Sequence, residues 1–155
     1  MIQASELKKE IVKLLKSKFV YQVYGKEVTE GYKKPSFFVD LRLTSQRDET
    51  INIVSKSFHC QIVYFQKKIN EADMLHTVET ITELLTVRHP RGQKKKLLLR
   101  IGERYLPVSN LEQGFTGKNN NIMTMDFDVE FYDFSSEKEN VELMRSVSVN
   151  ERLEE

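Results

Sequence analysis

Met123-Thr124-Met125-Asp126-Phe127-Asp128-Val129-Glu130-Phe131 alternates apolar and polar residues without a break. Successive strand side chains point to opposite faces, so Met123, Met125, Phe127, Val129 and Phe131 face a core. Thr124, Asp126, Asp128 and Glu130 face outward. A second run, Ser36 to Thr44, sets Phe37, Val39, Leu41 and Leu43 against Asp40, Arg42 and Thr44. Strands with one apolar side belong to antiparallel sheets that bury one face.

Working outward, Thr50 to Phe65 is a long β segment that pairs with Ser36–Thr44 as a hairpin. Its apolar parity changes between Ile51/Ile53 and Phe58/Cys60/Ile62/Tyr64, which predicts a bulge or bend within it. Phe19 to Tyr24, Leu97 to Ile101 and Arg104 to Val108 read as shorter strands, and Val28 to Pro35 as a loop or irregular edge. Two amphipathic helices are predicted. The first runs from about Glu6 to Lys18, capped by Ser5, with Leu7, Ile11, Leu14 and Leu15 on one stripe. The second follows Asn70 as cap, carries Met74, Leu75, Val78, Ile81, Leu84 and Leu85, and ends before Pro90. Gly114 to Asn121, with two Gly and three consecutive Asn, reads as a mobile loop. Val141 to Met144 suggests a helical turn, within an extended or partner-ordered tail from about residue 135. The order α-β-β-β-α-β-β-β predicts one α+β domain over residues 1–155: a mainly antiparallel sheet with both helices on one face.

Composition narrows the function classes. With 155 residues, 39% of them hydrophobic, the chain is long and apolar enough to bury a core. One cysteine rules out a disulfide framework and cysteine-based zinc fingers. No apolar run approaches the roughly 20 residues that span a bilayer. The first residues enter an amphipathic pattern directly, so a cytosolic protein without a signal peptide is expected. The net charge is +1, which argues against a general nucleic-acid binder. That balance hides two blocks. Arg88 to Arg104 holds seven basic residues and one acidic, a net of +6. Asp126 to Glu142 holds seven acidic and one basic, a net of −6.

No catalytic set emerges. His59 and Cys60 are neighbours on a strand and point to opposite faces, so they form no dyad, and Cys60 reads as a buried, inert thiol. His76 lies off the helical stripe and His89 precedes Pro90 in a turn. Phosphate-loop, dinucleotide, zinc-protease and nucleophile-elbow motifs are absent. Asp126, Asp128 and Glu130 share one strand face, where carboxylates can hold Mg²⁺ or Ca²⁺. The simpler reading is a solvated face, on which the like charges would gain from a basic partner. Arg88, Arg91, Lys94, Lys95, Lys96 and Arg100 can contact phosphates, which makes a small nucleic-acid-associated protein the alternative. Only Tyr105 is near enough for base stacking. The two clusters also complement each other, and such contacts repeated head to tail close into a ring or run on as a filament.

The segment Val23-Tyr24-Gly25-Lys26-Glu27-Val28-Thr29-Glu30-Gly31-Tyr32-Lys33-Lys34-Pro35-Ser36-Phe37-Phe38-Val39 is similar to one in the tail terminator (tail completion) proteins of tailed phages and prophages. Ile62-Val63-Tyr64-Phe65 before a capped helix, and the final strand closing on Asp133-Phe134, extend the likeness over most of the chain. The chain thus resembles this family, especially terminators encoded with contractile tails, including headless R-type bacteriocins. The resemblance implies a non-enzymatic protein without metal or other cofactor. It would form a homohexameric ring that caps the tail tube, stops its polymerisation and meets the head-side connector and the sheath. DNA would only pass through the ring, and no membrane would be involved. Assembly would occur in the bacterial cytoplasm, and the finished protein would sit in the virion tail or tail-like particle. The basic cluster and the acidic cluster are the candidate interface residues.

Overall fold

A computed structural model describes residues 1–134 apart from 27 and 29. The chain runs α1 (Ala4–Lys18), β1 (Gln22–Tyr24), β2 (Ser36–Asp48), β3 (Ile53–Phe65), α2 (Glu71–Leu85), β4 (Thr86–Arg88), β5 (Lys95–Ile101), β6 (Arg104–Thr116) and β7 (Ile122–Phe134). The strands form one sheet in the order β1-β2-β3-β7-β6-β5-β4. Neighbours are antiparallel except β1 and β2, which are parallel. This is the expected α+β class, with the alternating strand β7 at the centre.

Leu7, Ile11 and Leu15 of α1 and Met74, Ile81 and Leu85 of α2 are buried. They cover the sheet face that carries Phe37, Val39, Cys60, Ile62, Met125 and Phe127. Asn70 caps α2 as expected, its side-chain oxygen accepting from the backbone N–H groups of Ala72 and Asp73. A network ties that cap to the end of β3. The Tyr64 hydroxyl donates to Asp73 at 2.7 Å, and the amide of the buried Gln66 donates to both Asp73 and the Asn70 carbonyl. Burial, and then the bond to Asp73, push the Tyr64 hydroxyl well above its ordinary pKa.

Several local expectations are corrected. Ser5 does not cap α1: the helix starts at Ala4, and Gln3 holds the cap position without a side-chain bond. The bulge lies not in β3 but in β2, where Leu43 pairs with Phe58 and Ser45 with Ser57, leaving Thr44 as the extra residue. Its hydroxyl donates to the Ser57 carbonyl at 2.9 Å. The second helix does end before Pro90, at Leu85, but Thr86 to Arg88 then form the unexpected short strand β4. Gly114 to Thr116 are not loop but the end of a longer β6. A Cβ at Gly114 would come within 3.1 Å of the Thr124 hydroxyl, so this glycine serves close strand approach. The connection from β6 to β7 is Gly117 to Asn121, with a 3₁₀ turn at Lys118–Asn120. The expected tail from 135, with its turn at Val141 to Met144, lies outside the described residues.

Candidate functional site

Asp126, Asp128 and Glu130 project from β7 on the sheet face opposite the helices, as the alternation requires. The register across four strands decides what surrounds them. Arg42 on β2 lies opposite His59 on β3, His59 opposite Asp128 on β7, and Asp128 opposite Ser109 on β6. His59 Nδ1 lies 2.8 Å from Asp128 Oδ1. An ionised carboxylate only accepts, so Nδ1 carries the proton. Asn110 donates to the other Asp128 oxygen at 2.8 Å. Asn110 sits in the β6 bulge with φ 53, which lets its side chain turn back over the face. The Asn110 amide first, and then His59, hold the Asp128 carboxyl below the usual carboxylate range. Asp126 has one oxygen 3.7 Å from His59 Nε2 and the other buried without a hydrogen-bond partner among the described residues.

His59 is therefore the basic partner these like charges call for, which the sequence left unassigned. Its partner is 69 positions away, and only strand register reveals it. Cys60, on the opposite face, is fully buried; burial, and then the charge of Asp40, push its thiol up. Among the described residues, no group of three or more His, Cys, Asp or Glu side chains is placed to hold a metal ion.

The basic cluster lies at the far edge of the sheet. Arg88 ends β4, Arg91 and Lys94 lie in the connection, Lys95 and Lys96 open β5, and Arg100 is near its end. All six side chains are exposed. His89 packs on Tyr105 with ring centroids 4.7 Å apart, and Arg100 covers the same ring at 5.7 Å while donating to the Gly102 carbonyl. None of the six forms an ion pair among the described residues. Two strands, β6 and β5, separate β4 from β7, about 14 Å at the usual strand spacing. The two clusters are thus kept apart within one chain.

One contact does join the two charge blocks. Arg104 donates to Asp133 at 3.0 Å and to the Tyr132 carbonyl at 2.7 Å. Asp133 is 4% exposed and also accepts from the Ile2 backbone N–H at 2.6 Å. This carboxylate pins the start of α1 and the β5–β6 turn to the end of β7.

The segment Tyr24 to Phe38 closes the other end of the helix-free face. Tyr24, Tyr32, Phe38 and Phe65 form a continuous ring cluster with centroids 5.1–5.3 Å apart. The aromatic residues of the resembling segment thus have a packing role.

No curated protein matches the chain. Among the solved structures that match, one has a TM-score of 0.48 at 12% identity, over 86% of this chain and 93% of its own, a likeness too slight to argue from. The family comparison is broader in consequence. Residues 6–142, which hold seven strands, α2 and all but the first two residues of α1, match the family described as phage tail terminator protein, and the chain belongs to that family.

Proposed function

We propose that six copies of this chain, each a single domain, form a ring that caps the tail tube, ends its polymerisation and presents the attachment surface for the head-side connector. In a contractile tail or an R-type bacteriocin the same ring would also meet the last sheath ring. Membership of the terminator family is the observation that carries this reading. It gives the chain a structural role in the tail, beside other tail components. Among the described residues, no helix is long and apolar enough to cross a membrane.

The two charged surfaces take different places in this proposal. Asp128 is satisfied within the protomer by His59 and Asn110, so it needs no neighbour's cation. The helix-free face that carries them and Glu130 lines the lumen, where fixed negative charge repels DNA phosphates and eases passage. The exposed cations Arg88, Arg91, Lys94, Lys95, Lys96 and Arg100 meet an acidic surface of another tail protein. Reversing Lys94, Lys95 and Lys96 to Glu should weaken attachment to tail tubes at low salt, with less difference at high salt as the charges are screened. Co-sedimentation with tubes reads this out. Equal attachment by both proteins at low salt removes the basic edge from the contact. Native mass spectrometry tests the ring, for which the hexamer mass is expected.

A further inference from the structure

The helix layer carries a charge division that the folded protomer does not use. Leu14 of α1 and Leu84 of α2 line one small cavity in the seam between the helices. At about 100° per residue, Val12 points about 160° away from Leu14, onto the far flank of α1. There Ser5, Lys8, Lys9, Lys13 and Lys16 line a groove with Val12 as its half-buried floor. By the same geometry Leu75 lies about 180° from Leu84, on the far flank of α2. Glu71, Leu75, Glu79 and Glu83 recur every fourth residue and so form one stripe.

The two flanks match in kind. Lys9, Lys13 and Lys16 are exposed around an apolar floor, and Glu71, Glu79 and Glu83 are exposed around Leu75, itself 47% exposed. Along the helix axes, Lys9 to Lys16 spans about 10 Å and Glu71 to Glu83 about 18 Å, so the acidic stripe covers the length of the basic one and extends beyond it. α2 contains no Lys or Arg, whereas α1 has five lysines and two glutamates. None of these six charged side chains forms an ion pair or hydrogen bond among the described residues. The flanks also lie towards opposite sides of the sheet, since α1 packs on β1 and β2 as well as β5, and α2 on β4 and β5. One chain therefore cannot bring its own flanks together, but two copies side by side can.

We propose that the lysine-lined flank of α1 docks on the glutamate-lined flank of α2 of a second copy, with Leu75 seated against Val12. The contact is heterologous: each copy offers one flank to the copy before it and the other to the copy after it. Repeated, it closes a ring or runs on as a filament. It leaves the helix-free face uncovered, as a lumen lining requires. This inference rests on the ring reading and names its interface.

A charge exchange tests it. One variant carries Lys9→Glu, Lys13→Glu and Lys16→Glu; the other carries Glu71→Lys, Glu79→Lys and Glu83→Lys. Each alone places like charges in every contact and should self-associate at least about tenfold more weakly at low salt. Mixed in equal amounts they should recover assembly with the two chains alternating, because one has two acidic flanks and the other two basic ones. Recovery in the mixture also shows that both variants are folded. Native mass spectrometry reads the composition of each assembly. Variants that assemble alone as the unaltered protein does overturn the interface and leave the family's tail role untouched. So does a mixture no better than its parts, which is also the result expected if these flanks bind another tail protein. An unaltered chain that stays monomeric at every concentration, and on tubes, overturns the interface and the ring together. Expected behaviour of both variants beside tubes of uncontrolled length counts against the cap alone.

Discussion

Replacing Phe127 with alanine should remove about 3–5 kcal/mol of folding stability, the usual cost of emptying a large core site. Phe127 is fully buried at the middle of the central strand, opposite Cys60 on β3. With Ile11, Leu14 and Leu15 of α1, Ile81, Leu84 and Leu85 of α2, and Ile62 of β3, it lines one small cavity between the sheet and the helices. It thus joins the sheet to both helices, and truncation leaves a hole that three separate elements must close. Interiors packed at crystal-like density relax only in part. Val20→Ala is the control, since this residue is 97% exposed and its loss should change stability by about 0.5 kcal/mol or less. Urea unfolding of both variants measures the contrast. A Phe127→Ala protein within 1 kcal/mol of the parent would mean that the helices are not docked on this face.

Asp133→Ala should cost about 2 kcal/mol at neutral pH. The carboxylate accepts from the Ile2 backbone N–H and from Arg104 while 4% exposed, so its removal strands a buried donor. The Arg104 side chain is 42% exposed, and water compensates much of its loss, which keeps the figure below that of a fully buried pair. Burial alone would raise the Asp133 pKa. The Ile2 bond and the Arg104 guanidinium outweigh it and hold the carboxyl below the ordinary carboxylate range. A depressed folded pKa means that the unfolded chain binds the proton first. This stability is therefore complete above the ordinary carboxylate range and is lost as pH falls through the lower folded value. The gap between parent and variant should narrow in acid. Asp128 is depressed in the same direction, so the variant should keep part of the acid sensitivity. Denaturant unfolding at neutral and acid pH checks this, and a gap that is constant across pH contradicts it.

The elements legible in the sequence are those whose signal is local. β7 declared itself by alternation, and α2 by its apolar stripe and its Asn70 cap. What the sequence hid depends on pairing. The parity change at Ile51 and Ile53 suggested a bulge in β3. Ile51 instead lies outside the strand, and the extra residue is Thr44 on the partner strand. β4 escaped notice because three residues with no break before them read as the end of a helix. Gly114 looked like loop chemistry until Thr124 was placed beside it. The functional surfaces divide in the same way. The positions of Asp126, Asp128 and Glu130 on an outer face followed from period two. The hydrogen bond of His59 to Asp128, and the role of Asp133 as anchor, follow only from register across strands. The unused charge of the helix flanks lay outside both charge blocks, because each flank mixes with apolar residues along the chain and separates only on the folded helix.

Tail-tube subunits polymerised with and without this protein give the most direct test of the account. If the chain is a terminator that acts as a ring, its addition should yield tubes of limited length, each carrying one six-fold ring at a single end by electron microscopy. Tubes of unrestricted length in the presence of the protein, with no density at either end, would contradict it.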